Sequence, residues 1–129
     1  MDTVLVDTDV FSYIHKRDTR AQLYRKHLDG KRLALSFMTV AELYRWAIER
    51  KWGQKKIDDL RAKLKNYVIL PHDDETAWKY AEIRSIPGHP VEPGDAWIAA
   101  SALRHGIPLV THNSKHFEHI PGLQVISEG

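Results

Sequence analysis

The chain has 129 residues, of which 43% are hydrophobic and 28% charged, with a net charge of +2 and no cysteine. That length predicts one domain over residues 1–129, burying about two-thirds of its unfolded surface, and the lack of cysteine excludes disulfides and thiolate metal sites. No run approaches the ~20 apolar residues that span a bilayer, and Met1-Asp2-Thr3-Val4 lacks the basic start and apolar stretch of a signal peptide, so a cytoplasmic protein without membrane contact is expected.

In chain order, Thr3 to Asp7 is a short apolar run rich in β-branched residues, which predicts a buried strand. Helical sequence follows around Val10 to His15 and again from Arg20 to Leu28, ending near Gly30. Leu33-Ala34-Leu35-Ser36 predicts a second strand. Val40 to Lys51 predicts a helix with its apolar stripe on Val40, Leu43, Tyr44, Ala47 and Ile48. Gly53 breaks it, and Lys55 to Lys65 carries Ile57, Leu60 and Leu64 along one helical face. Tyr67 to Leu70 is a third strand, stopped by Pro71. Asp74 to Arg84 is helical, with Ala77, Tyr80, Ala81 and Arg84 spaced along it. Pro87 to Gly94 is a breaker-rich loop, after which Asp95 to His105 is helical. Leu109-Val110-Thr111 is a fourth strand, Ser114 to Glu118 a short helical turn, and Leu123 to Ile126 a final strand.

Apolar strands alternating with helices predict an α/β fold: a central, mostly parallel sheet of four to five strands covered on both faces, giving three α/β/α layers. Right-handed crossovers then place every strand-to-helix turn at one carboxyl edge, where open α/β sheets bind ligands.

Three acids interrupt apolar segments: Asp7 after Val4-Leu5-Val6, Glu42 within Thr39-Val40-Ala41-Glu42-Leu43, and Asp95 within Gly94-Asp95-Ala96-Trp97-Ile98. An ionised carboxylate in such surroundings is costly unless something pairs with it. Each has a structural alternative. Thr39-x-x-Glu42 matches a capping box, Asp95 after Pro93-Gly94 is a natural N-cap, and Asn113 before Ser114 could cap as well. Asp7 resists such an explanation, because Asp9 lies two residues on and the two charges repel. The topology brings all of these to the same sheet edge. Oxygen ligands without cysteine favour Mg²⁺ or Mn²⁺, whose natural use is phosphodiester hydrolysis.

His112, His116 and His119 cluster late in the chain without a zinc-binding H-E-x-x-H context, and are read as surface or supporting residues before phosphate or RNA contacts. Residues 1–66 hold 15 Lys/Arg against 9 Asp/Glu, whereas residues 67–129 hold 4 against 8. The basic stretch from Arg45 to Lys65, interleaved with Trp46 and Trp52, is by default a solvated face. Beside catalytic carboxylates it becomes an RNA-contacting surface.

Four motifs in order carry a family resemblance: Val4-Leu5-Val6-Asp7-Thr8-Asp9-Val10, Ser36-Phe37-Met38-Thr39-Val40-Ala41-Glu42-Leu43, Gly94-Asp95-Ala96-Trp97-Ile98-Ala99-Ala100, and Leu109-Val110-Thr111-His112-Asn113-Ser114-Lys115-His116-Phe117. Together they resemble the PIN-domain family, specifically the VapC-type toxins of toxin–antitoxin pairs. The resemblance implies an α/β/α sandwich, a Mg²⁺- or Mn²⁺-dependent endoribonuclease, an RNA substrate, a homodimer and inhibition by a cognate antitoxin. It matches Asp7, Glu42 and Asp95 to the family's acidic metal ligands, with Thr111 and Asp9 supporting them. Asn113 stands where many relatives place Asp, and His116 where another acid often precedes Phe117; one well-held ion with a weaker second is therefore expected. Two other readings are weighed. Asp7-Thr8-Asp9-Val10 also resembles the nucleophile motif of haloacid-dehalogenase-type phosphatases, with Asp7 phosphorylated. A non-catalytic scaffold binding RNA or protein is the other, supported only by Asn113.

Overall fold

The computed structural model describes residues 2–129. Five strands, β1 (Thr3–Val6), β2 (Arg32–Ser36), β3 (Val68–Leu70), β4 (Leu109–Val110) and β5 (Val125–Ile126), form one sheet in the order β3-β2-β1-β4-β5. Every pairing is parallel, with Val4 opposite Leu33, Val6 opposite Val110 and Ser36 opposite Leu70. The central strand β1 is apolar at every buried position because both of its faces are covered.

Six α-helices occur among the described residues: α1 (Thr8–His15), α2 (Arg25–Leu28), α3 (Phe37–Glu49), α4 (Gln54–Leu64), α5 (Asp74–Arg84) and α6 (Pro93–His105). Alternation along each strand divides the core in two. Leu5, Ala34 and Leu109 pack against Ile83 of α5 and the Ile98, Ala99 and Ala102 face of α6. Val4, Val6, Leu35 and Val110 pack on the opposite face with Phe11, Tyr24, Leu43, Leu60 and Leu64. Helices, sheet and helices thus make the expected three layers.

Several boundaries differ from the sequence reading, for local reasons. Helix α3 starts at Phe37, not Val40, because the Ser36 hydroxyl at the very end of β2 accepts the Met38 N–H at 3.1 Å. Thr39 is consequently inside the helix, and the Thr39–Glu42 capping box does not form. Helix α6 starts at Pro93, whose ring favours the first helical position, so Glu92 takes the cap position and Asp95 stands in the first turn. The stretch expected as one helix from Arg20 is a 3-10 segment, Thr19–Tyr24, continued by the single turn of α2. Ile48, expected in the buried stripe of α3, is 76% exposed. Along α5 the buried side chains are Thr76 and Ile83, whereas Ala77, Ala81 and Arg84 face solvent.

Strand order runs outward in one direction through β2 and β3, then in the other through β4 and β5. The reversal lies between β1 and β4, and parallel sheets open a crevice at the carboxyl end of such a junction. Asp7 and Thr111 are the first residues past those two strands.

Candidate active site

Asp7 leaves β1 with its backbone still in the sheet, donating its N–H to the Val110 carbonyl at 2.9 Å. Its Oδ1 accepts the Thr8 N–H at 2.8 Å and its Oδ2 accepts the Thr111 hydroxyl at 2.6 Å. The Thr111 hydroxyl itself accepts the Asn113 N–H at 3.1 Å, so the turn after β4 fixes the group that orients Asp7. The residue is 5% exposed. Burial, then the negative charge of Asp9, pushes the Asp7 pKa up to about 7 against the pull of its two hydrogen bonds.

Glu42 reaches the same place from α3. Its Oε1 accepts the Thr8 hydroxyl at 2.9 Å, and the same hydroxyl lies 2.9 Å from that of Thr39. A hydroxyl has one proton to give. Since Thr8 donates to Glu42, Thr39 donates to Thr8. Thr8 therefore joins two acids, its N–H on Asp7 and its hydroxyl on Glu42. Desolvation raises the Glu42 pKa, with Asp95 adding to the effect. A Cβ on Gly94 would stand 3.6 Å from Glu42 Oε2, which places the start of α6 directly beside this carboxylate.

Asp95 projects from that first turn of α6 with its side chain 25% exposed, and its Oδ2 lies 3.1 Å from Nδ1 of His116. Its pKa is raised, chiefly by desolvation, despite the nearby imidazole. Asp9 bridges differently. Its Oδ1 accepts the Val10 N–H at 2.6 Å and its Oδ2 the His112 N–H at 3.0 Å, tying α1 to the turn after β4. Its pKa too is raised, by burial first.

Asn113 is exposed and stands at the cap position of the 3-10 turn Ser114–His116, without a side-chain capping bond. Its tie to the other residues is the backbone N–H on Thr111. The late histidines divide. His112 meets the Tyr24 hydroxyl through Nδ1 and packs edge-on against Tyr13. His116 faces Asp95, and His119 stacks on His89 with ring centroids 3.9 Å apart.

No lysine or arginine forms an ion pair with Asp7, Asp9, Glu42 or Asp95 among the described residues. Nor, among the described residues, do three or more acidic or histidine side chains stand close enough together to hold a metal ion as they are placed. Each acid holds a hydroxyl, amide or imidazole of the protein instead. By donor type the set suits a hard divalent cation: Asp7, Glu42 and Asp95 approach one crevice from three elements, and burial, ahead of any neighbouring charge, raises the pKa of each.

Thr8 and Thr39 did not stand out in the sequence as site residues. The available signal was a threonine flanked by two acids directly after an apolar strand. The basic helices turn out to spend part of their charge on their own aromatics, with Arg50 over Trp46, Lys56 over Trp52 and Arg61 over Tyr44. The phosphatase motif lacks its late acid: β4 is followed by Thr111-His112-Asn113, and Asp95 belongs to a helix.

Comparison with known proteins agrees with this fold. The chain is 29% identical over 125 residues to "Ribonuclease VapC1" of Haemophilus influenzae, covering 93% of both. It is 27% identical over 124 residues to "tRNA(fMet)-specific endonuclease VapC" of Salmonella typhimurium, covering 94% of both. Among solved structures, it aligns with a chain of DNA-bound VapBC from Salmonella typhimurium at a TM-score of 0.82 and 26% identity, covering 98% of each. The family model described as "PIN domain" matches residues 4–123. With that match spanning most of its length and the fold in agreement, the chain belongs to the PIN-domain family.

Proposed function

We propose that this protein is a divalent-metal-dependent endoribonuclease and the toxin of a toxin–antitoxin pair, with Asp7, Glu42 and Asp95 as ligands of a Mg²⁺ or Mn²⁺ ion and Asn113 offering a neutral oxygen beside them. What supports this reading is that three desolvated carboxylates, none paired with a lysine or arginine, lie near one another at the β1/β4 junction. Held by Asp7, Glu42 and Asp95, such an ion would offset their charge and supply Lewis-acid chemistry for phosphodiester hydrolysis.

The chain's own residues set up that chemistry. Thr111 and the Thr8 N–H hold Asp7 in one orientation, and the Thr8 hydroxyl holds Glu42. Asp9 fixes the turn carrying Thr111 through the His112 N–H, a positioning role. Beside Asp95 lies a hollow of about 300 Å³ open to solvent and bounded by Val91, Glu92, Lys115, His116 and His119. Names of relatives as ribonucleases and of neighbours as VapBC complexes support an RNA substrate and a cognate antitoxin as partner. A homodimer, one domain over residues 1–129 and a cytoplasmic setting complete the proposal; no helix of the described residues is long and apolar enough to cross a membrane.

The test is cleavage of end-labelled RNA by the purified chain without a partner. Internal cuts that require Mg²⁺ or Mn²⁺ and stop with EDTA are expected. Undiminished cleavage in EDTA, or by Asp7→Asn, would overturn the assignment.

A further inference from the structure

Outside the acids, two imidazoles from separate segments meet on the surface. His89 belongs to the loop before α6 and His119 to the turn after Ser114–His116. Their rings lie face to face, 3.9 Å apart and inclined by 18°. The sequence prepares each half. Gly88 turns the chain with φ +78°, and Pro90 disfavours helical backbone at His89. His119 is held from both sides by Phe117 at 1% exposed and Ile120 at 5%. The Ile120 N–H donates to the Phe117 carbonyl at 3.2 Å across it.

Loop packing does not account for the pair. Val91 is buried and its carbonyl accepts from Arg84 Nη1 at 3.0 Å, which anchors the segment without the rings. The His119 side chain is 52% exposed, and His89 is exposed as well. Both rings wall the hollow of about 300 Å³ that Asp95 also lines. That volume is at the small end of the range for organic ligands. Its chemistry is mixed. The imidazoles offer flat aromatic surface, and Lys115 offers a cation. Glu92 offers a carboxylate that forms no ion pair among the described residues. With Glu92 and Asp95 on its rim, the hollow is a poor seat for a bare anion. A flat neutral group with N–H donors, joined to a phosphate, matches all three features.

Resting on the ribonuclease reading of the neighbouring acids, we infer that this hollow is a nucleobase slot: one unpaired base of the RNA substrate stacks on the His89–His119 pair, donates an amino group to Glu92 and leaves its phosphate to Lys115. Proteins read unpaired RNA bases by aromatic stacking and by hydrogen bonds to their edges. Because Asp95 shares the hollow, the base held there belongs to a nucleotide at or beside the cut bond. The slot therefore sets a sequence preference. Guanine, adenine and cytosine carry an amino group for Glu92, and uracil does not.

The experiment is NMR of the histidine ring C–H signals of the full chain at pH 8 in EDTA, which reads binding apart from any metal. The probes are GMP, AMP, CMP and UMP, with inorganic phosphate as the control. The first three should move the His89 and His119 signals upfield and saturably, UMP should do so more weakly, and phosphate should leave them in place. His119→Ala should weaken nucleotide binding about tenfold, whereas His119→Tyr, which keeps a ring, should retain it. With Mg²⁺ or Mn²⁺ and end-labelled RNA, the alanine variant should raise KM about tenfold, leave kcat nearly unchanged and blunt the base preference beside the cut. Rings that no nucleotide moves, or that phosphate moves equally, overturn the slot and leave the carboxylate site standing. So does a fall in kcat with KM unchanged. Failure of the wild type to cut RNA with either ion overturns the ribonuclease reading and, with it, the substrate role of the slot.

Discussion

Two aspartates in this molecule do the same local job and end in opposite electrostatic states. Asp7 caps α1 and Asp73 caps α5, each just past a parallel strand and each bonded to a threonine. Asp73 accepts the N–H and hydroxyl of Thr76 at 2.9 and 2.7 Å, and Arg104 approaches its other oxygen at 3.3 Å. Those contacts hold its pKa down to about 2. Asp7 also has two hydrogen bonds, yet its pKa stands at about 7, because it is buried and its charged neighbour is Asp9. Capping is common to both and therefore explains neither state. What separates them first is burial: Asp7 is taken out of water beside Asp9, whereas Asp73 stays solvated and takes two bonds from Thr76, with Arg104 of α6 adding a smaller pull.

The largest effect expected from breaking this comparison is at Asp7. Asp7→Asn keeps the shape and an oxygen for the Thr8 N–H, leaves its NH2 to donate to the Thr111 hydroxyl, and removes the charge. RNA cleavage should fall by at least ~10³-fold in kcat/KM, the scale of losing a group that acts in the transition state. The same change should raise the urea midpoint of the metal-free protein at pH 8, since it relieves a buried like-charge pair. A variant that loses activity and stability together would point to simple misfolding.

The second test is pH. Asp7 has a folded pKa near 7 against an ordinary value of 3.8, so its stabilising contribution is complete below about pH 4 and disappears as pH rises through 7. Asp73 has the opposite sign: its contribution is present above pH 4 and is lost as pH falls toward 2. Urea unfolding in EDTA should therefore show stability declining between pH 5 and pH 8. Asp7→Asn should flatten that decline, and saturating Mn²⁺ should reverse it by binding the ionised form. A wild-type profile level from pH 5 to 8 would contradict the described surroundings of Asp7.

A smaller effect is expected at Thr8. Thr8→Val keeps the volume and the N–H on Asp7 but releases Glu42 from its hydroxyl partner. Cleavage should drop about tenfold, mostly in kcat, with metal affinity weakened by a comparable factor. An effect on RNA affinity alone would assign Thr8 to substrate binding instead. The smallest effect belongs to the other half of the comparison. Asp73→Asn retains a capping side chain and loses only the attraction of Arg104, so cleavage should be unchanged and the urea midpoint slightly lowered. Measurable loss of cleavage there would mean that α6 is displaced and the acids with it.

The sequence was most readable where one residue answers to its immediate neighbours. The apolar strands, the order of elements and the parallel sheet follow from runs such as Val4-Leu5-Val6 and Leu109-Val110, and the acids were conspicuous against them. Caps were harder, because two candidates stood within a few residues of each other. Ser36 and Thr39 both qualify before α3, and Ser36 wins by sitting at the end of β2, where the chain must turn. Pro93 likewise moves the start of α6 ahead of Asp95. Both shifts removed the structural explanations for Glu42 and Asp95 as capping residues. Faces of helices were misread where partners, not periodicity, decide burial. Thr76 and Ile83 are buried in α5 because α6 lies against them, and Ile48 has no neighbour to cover it. The Thr8–Glu42 bond spans 34 positions, a distance at which a linear pattern has no voice.

The pairing of β4 with β1 has a bearing on how such a protein is made. Leu5 is matched to Leu109, and the hydroxyl that steadies Asp7 belongs to Thr111. During translation the first acid emerges early, yet its partner strand leaves the ribosome only after more than a hundred residues have been added. A nascent polypeptide therefore lacks the strand and the hydroxyl that hold Asp7 for most of its synthesis, and gains both together once the late strand docks.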